Sequence, residues 1–238
     1  MAEPFAVIYA LLTVELALLV ISIALLYLSR REHEGRSELL DALFRATREL
    51  TRYEYFLAVV DSINMARKRV HGVVTGRRPT TELGREAVAK IVEAVRRAAR
   101  RGVEVRYIIF KAPSRLSIGY MYRDAGAEVR VHSFPGLSDA RYMLVDDDVS
   151  VIGLAGRGED RSSPTRMGYV IKSITLNGIL DEHFQRLWSE AEPLEEYARR
   201  VVAEYLKANP RADAESVSEY LGIPLEDARE LIEAMGRE

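Results

Sequence analysis

Acids and a cation crowd the stretch SDARYMLVDDDVSVIGLAG, residues 138–156, which holds Asp139, Arg141 and the run Asp146, Asp147, Asp148. The apolar, β-branched segments on either side of the triple acid predict a strand, a tight turn and a second strand. Three carboxylates in a row have the chemistry to hold a cation, but at a hairpin turn they answer better to turn formation and solubility. No metal site and no cofactor is expected. His71, His132 and His183 fall on two strands and a helix, and their spacing makes no ligand set. The chain has no cysteine, which excludes disulfides, thiol nucleophiles and Cys-ligated metals. Arg96, Arg97, Arg100 and Arg101 gather on one face of a helix, where anionic lipid or a phosphate backbone could be met; the plainer reading is a solvated helix face.

The elements that would position these groups alternate along the chain. FLAVVDSINMARKR reads as an amphipathic helix and VHGVVT as a short strand. Residues 82–101 predict a helix with Val88, Ile91, Val92, Val95 and Ala99 on its apolar face. VEVRYIIF is a strand, and RLSIGYMYRDAG a helix capped by Gly126. AEVRVHS, RYMLVD, VSVIGLA and GYVIKS follow as strands, and LNGILDEHFQRLWSEA closes the domain as a helix. The fold class expected is α/β, a sheet covered by helices, over residues 53–191.

On this pattern the run from Tyr53 to Ala191 resembles one half of the phospholipase D superfamily. Members carry H-x-K-x4-D, then six residues and G-S/T-x-N, across two strands joined by a turn. Here the His position is Asp139, the Lys position Arg141 and the Asp position Asp146. The glycine is kept at Gly153, whereas the Ser/Thr position is Leu154 and the Asn position Gly156. The surroundings AARRGVEVR and DAGAEVR, each before a strand, and a closing FQRLW helix, fit the same family. The resemblance implies that the residue at the His position attacks phosphorus and forms a covalent intermediate. Asp139 is a poor replacement, because a carboxylate repels an anionic diester and does not titrate near neutrality as imidazole does. Arg141 can still serve as a phosphate cation, with different geometry. Active members also need two such motifs, and one is present. The expectation is a motif that has lost its chemistry while Asp139, Arg141, Asp146 and Gly153 keep the means to bind an anion. The enzyme alternative is a phosphodiesterase working as a dimer. The loop GRGEDRSSPTR, 156–166, is polar and stands beside the motif.

The N-terminal part is of another kind. From Pro4 to Leu28 the chain is apolar apart from Thr13, Glu15 and Ser22, and Tyr9 and Tyr27 lie near the ends of the run. Some twenty such residues span a hydrocarbon core of about 30 Å as a helix, and aromatic residues favour its interfaces. Residues 1–29 are therefore expected to be a transmembrane anchor. A cleaved signal peptide would need a basic start and a shorter apolar run. Arg30, Arg31 and Arg36 flank the C-terminal side only, which puts the N-terminus outside and the rest in the cytoplasm. Glu15 and Ser22 share one helical stripe, either a polar seam for another membrane helix or a carboxyl tolerated in an apolar span. Residues 30–52 read as a charged helical connector with Leu39, Leu40, Leu43, Phe44 and Leu50 at helical intervals, a candidate self-associating stalk and so a route to a homo-oligomer.

Residues 192–238 read as a separate module of three helices, about 195–207, 213–221 and 225–235. Its LGIP turn resembles those of helix-turn-helix regulators. Some archaeal sugar-sensing regulators are similar in joining a non-catalytic phospholipase D-like domain to a helix-turn-helix, in the reverse order and without an anchor. From residue 212 onward there are eight acids against Arg229 and Arg237, a surface that phosphates repel. A protein partner is favoured over nucleic acid. The whole chain is nearly balanced, with a net charge of −2 over 238 residues, which also argues against a protein built around nucleic acid. The reading as a whole is a membrane-anchored cytoplasmic scaffold or sensor, with a membrane-tethered nucleic-acid regulator as the other alternative.

Overall fold

The computed structural model of the chain describes residues 47–133, 140–154 and 167–235. Within them the elements run β1 (Thr47–Thr51), α1 (Arg52–Met65), β2 (Arg69–Val74), α2 (Glu82–Arg100), β3 (Glu104–Phe110), α3 (Leu116–Asp124) and β4 (Glu128–His132). A hairpin-rich half follows: β5 (Ala140–Val145), β6 (Val149–Leu154) and β7 (Met167–Lys172), then α4 (Ile174–Glu190). The chain ends with β8 (Glu192–Pro193), α5 (Leu194–Ala208), α6 (Ala214–Leu221) and α7 (Leu225–Met235). The anchor over 1–29, with Glu15 and Ser22, and the connector up to residue 46 lie outside the described residues, as do Asp139, Gly156 and the loop 156–166. No helix among the described residues is long and apolar enough to cross a membrane.

All eight strands join one sheet in the order β1-β7-β6-β5-β2-β3-β4-β8. β2, β3 and β4 are parallel, linked through α2 and α3, while β5, β6 and β7 form an antiparallel meander joined to β2 through β5. Both faces of this sheet are buried, and alternation along each strand sends side chains to opposite cores. Val70, Tyr107, Val129, Met143 and Val151 enter the larger core with α1, α2 and α3. Val73, Ile108, Tyr142 and Leu144 meet Phe184, Leu187 and Trp188 of α4 on the other side.

Local signals place the helices. The Thr81 hydroxyl accepts from the Gly84 amide at 3.2 Å and starts α2, and Ser173 does the same for α4 through the Leu176 amide at 3.2 Å. Gly126, at φ 97°, follows α3 as the cap that the sequence suggested.

Two expectations need correction. Residues 47–51 do not continue a helical connector to residue 52: they form an edge strand beside β7, and Leu50 is 3% exposed in the core. A strand at that place gives the β7 edge the backbone partner that a helix could not supply. The boundary expected at residue 192 is no gap in packing either. Residues from Arg48 onward form one compact unit. β8 pairs with β4, and Leu194, Val201, Val217 and Leu231 share the larger core with the sheet. The three tail helices themselves fall where the sequence put them, with α6 capped by the Asp213 carboxylate, which accepts from the Ser216 amide at 2.9 Å.

Candidate anion-binding site

The C-terminal ends of β2 and β3 and the first residue turns of β5 meet at one end of the sheet. The β2–α2 loop, residues 75–81, and the short turn Pro113–Arg115 before α3 converge there. In open α/β sheets this edge is where ligands are received. Here it borders a cavity of about 240 Å³ between the sheet and α1, α2 and α3. Arg77 and Arg78 of the β2–α2 loop and Arg141 of β5 line it, with Thr75 and Thr80. Its inner wall is apolar and aromatic: Val59, Ile91, Tyr107, Ile118, Tyr122 and Met143.

Arg115 stands behind this rim, with its Cβ 3.5 Å from where a side chain at Gly76 would begin. Its pKa is lowered, first by desolvation and then by the positive fields of Arg77 and Arg141. Three guanidinium groups from separate parts of the sequence are thus within electrostatic reach of one another. The Arg115 Nε is buried without a hydrogen-bond partner among the described residues. The described residues lining the cavity include no acid, imidazole or thiol.

The tyrosines of the inner wall are held neutral. Burial pushes the Tyr107 hydroxyl well up, helped by Tyr122 and Tyr55, and burial raises Tyr122 as well. Their rings stack at 4.7 Å. Tyr107 fits only because residue 72 is glycine: a Cβ there would lie 2.5 Å from the ring Cδ1. On the same side of the sheet, Tyr55 covers Gly168, where a Cβ would meet the Tyr55 Cβ at 2.9 Å.

The residues singled out in the sequence scatter around this geometry. Arg141 is 9% exposed and sits on the rim. Gly153 is its direct cross-strand partner, and Gly168 is in turn the partner of Gly153, so the row beside Arg141 carries no side chains. Leu154 is paired with Ala140, one step along, and by alternation faces the other side of the sheet. Asp146 is not brought to Arg141. It lies at the far end of β5, roughly 16 Å away at the rise of a strand. Its carboxylate accepts from the amides of Arg67 at 3.1 Å, Lys68 at 2.8 Å and Arg69 at 3.2 Å. It adopts φ 52° at the turn. Its task is to hold the entry of β2 against the β5–β6 hairpin. Asp147 pairs with Lys68 at 2.6 Å on the surface.

The basic face of α2 is largely spent within the molecule. Arg96 pairs with Glu93 at 2.6 Å, and Arg97 donates to the Asn64 side chain at 3.1 Å. Arg101 donates to the carbonyls of Ile63, Asn64 and Ala66 at 3.1 to 3.2 Å and so closes the end of α1. Arg100 is exposed. One of the histidines has a core role: His71, 1% exposed, faces Asp181 and Glu104 at 2.9 Å each and stacks on Phe184. The ring of His183 lies 2.7 Å from the Tyr142 hydroxyl.

Sequence reasoning passed over Arg77, Arg78 and Arg115, together with the tyrosine wall. The available signal was VTGRRPT, a loop with two adjacent arginines directly between a strand and a helix.

No family model matches the chain, and no curated protein does. Among solved structures it is similar to Nuc from Salmonella typhimurium, a phospholipase D family member, at 18% identity and a TM-score of 0.48 over 62% of this chain and 96% of that one. NucT from Helicobacter pylori is similar at 10% identity and a TM-score of 0.47, over 62% of this chain and 98% of that one. TrmBL2, an archaeal chromatin protein, is similar at 18% identity and a TM-score of 0.45, over 69% of this chain and 63% of that one. These are similarities of architecture, and what each of those proteins binds is a property of that protein.

Proposed function

We propose that the chain is a membrane-held, non-hydrolytic phospholipase D-like module that senses an anionic ligand at the inner face of the membrane. The observation that carries the binding half is the rim of Arg77, Arg78 and Arg141, backed by Arg115, on a cavity whose described lining holds no acid, imidazole or thiol. Guanidinium groups bind oxyanions through forked, charge-assisted hydrogen bonds, and they supply no nucleophile. Asp139 at the nucleophile position, with Leu154 and Gly156 at positions of hydrogen-bonding side chains, supports the same reading. The membrane half is supported by the apolar run from Pro4 to Leu28 and the arginines that follow it. The acidic tail from residue 212 supports a protein partner rather than nucleic acid.

The test is turnover of bis(4-nitrophenyl) phosphate by the full-length chain, with inorganic phosphate titrated by calorimetry alongside. No turnover is expected, and phosphate binding is expected to weaken at least tenfold in Arg141→Gln. Hydrolysis that disappears in Asp139→Ala would overturn the reading.

A further inference from the structure

We infer that a second copy of this chain packs on the groove between α1 and α2, so that the protein associates with itself through these two helices.

The groove holds about 490 Å³ and is lined by Tyr53, Leu57 and Val60 of α1 and by Leu83, Ala87 and Lys90 of α2. The helices run the same way, since Arg97 near the end of α2 donates to the Asn64 side chain near the end of α1 at 3.1 Å. At spacings of three and four residues, each set forms one stripe along its helix. Tyr53, Leu57 and Leu83 are 53%, 39% and 60% exposed, large apolar side chains gathered on one patch. Apolar residues scattered singly over a surface need no explanation, whereas a patch of them rimmed by polar groups marks an interaction site.

Charge and shape select a second copy as the occupant. The exposed positions of α2 beside the groove carry Glu82, Arg85, Glu86 and Lys90, two acids and two cations. An anionic membrane calls for an excess of cations, and a strongly charged protein for an excess of the opposite sign. A balanced row suits a surface that meets itself, because a two-fold interface sets residue i against j and j against i. Glu86 and Lys90 pair at 2.7 Å on their own helix, and both side chains remain more than half exposed. With the two-fold axis at Ala87, antiparallel α2 helices bring Glu86 of each copy within one helical turn of Lys90 of the other. The small Ala87 lets the helices approach there. The leucines that stand out from one copy are knobs of the kind that the groove of the other receives.

The chain has no cysteine, so a single introduced thiol reports the contact. Ala87→Cys in the full-length chain, kept in detergent and oxidised with copper–phenanthroline, is expected to give a disulfide-linked dimer, since helices touching at this residue bring the two Cα atoms into the roughly 4.4–6.8 Å range that a disulfide spans. Ser189→Cys, exposed on α4 at the other face of the sheet, is the control and should link about tenfold more slowly or less. Leu83→Glu added to Ala87→Cys should lower the linked fraction about tenfold, because it puts an unpaired charge at the centre of the contact. Glu86→Lys should also lower it, and Glu86→Lys/Lys90→Glu should restore it, a rescue that a loss of folding would not show. Thermal melts check that each variant is folded. Equal linking at positions 87 and 189, or linking at 87 that ignores Leu83→Glu, would overturn the inference. So would a chain that stays unlinked at 87, the outcome if the groove rests on lipid instead. None of these outcomes depends on phosphate binding at the arginine rim.

Discussion

Replacing Asp146 separates the two tasks that its place in a catalytic pattern would confuse. Its carboxylate accepts from three consecutive amides at 2.8 to 3.2 Å, and the residue sits at φ 52°. Hydrogen bonds to a charged acceptor contribute up to about 3 kcal/mol each, and a partly exposed site lowers that. Asp146→Ala is therefore expected to cost about 2–3 kcal/mol from the lost bonds and about 1 kcal/mol more from the left-handed backbone. Asp146→Gly should recover about 1 kcal/mol of that, and Asp146→Asn, which keeps one acceptor and tolerates the conformation, should lie nearest the wild type. At roughly 2–4 °C per kcal/mol for a domain of this size, the alanine variant should melt on the order of 10 °C lower. Differential scanning calorimetry gives the order Asp, Asn, Gly, Ala. In parallel, phosphate binding by the folded Asn variant should match the wild type within about twofold, because Asp146 lies a strand's length from the arginine rim. An unchanged melting temperature for Asp146→Ala would refute the structural role. A folded Asn variant that no longer binds would refute the separation of the two sites.

Two further outcomes follow from the same geometry. Gly72→Ala drives a Cβ into the Tyr107 ring and should cost about 1–3 kcal/mol, read by urea unfolding, with Gly72→Ala/Tyr107→Leu partly restored; an alanine variant as stable as the wild type would refute the close approach. Burial pushes the Glu192 carboxyl up, but its ion pairs with Arg200 and Lys111, each at 2.7 Å, outweigh this and hold its pKa below the ordinary glutamate value. A carboxyl with a depressed folded value stabilises above its unfolded value and loses that contribution as pH falls through the folded one. The melting-temperature gap between the wild type and Glu192→Gln should thus be full above about pH 5 and close as the pH is lowered below 4, and a gap independent of pH would contradict the pairing.

Much of the architecture was legible because its signals are local. Alternation in VEVRYIIF or VSVIGLA and the caps at Thr81 and Ser173 act within a few residues. So does the period of the tail helices, whose observed bounds lie within a residue or so of those read from the sequence. β1 was not legible, because Leu and Phe at helical intervals before it carry a stronger period than five residues of strand, and only the open edge of β7 decides the matter. The arginine cluster was half legible. Arg141 stands out by its motif position, but Arg77 and Arg115 reach it through the pairing of β5 with β2 and of β2 with β3, which no short window contains. Asp146 shows the converse: its spacing was evident, yet the partners that define its work, the amides of residues 67–69, are 77 to 79 residues away. Asp227, one of the acids counted toward a partner surface, is engaged within the chain by Arg123 at 2.6 Å.

β8 is only two residues long, yet it is what stands between β4 and solvent at that side of the sheet. A chain cut at residue 191 would bare a row of unpaired amides and carbonyls on a strand whose neighbours are apolar, and would uncover the surface that Leu194 and Ala198 occupy. Exposed edges of that kind recruit other strands and lead to aggregation. The tail cut free at 192 would lose the wall against which its helices are packed, including the hold of Arg78 on the Gly222 carbonyl at 2.9 Å. Expression as two separate pieces would therefore yield an insoluble sheet and an unfolded peptide, and any pair of functions in this chain must be dissected by substitution rather than by scissors.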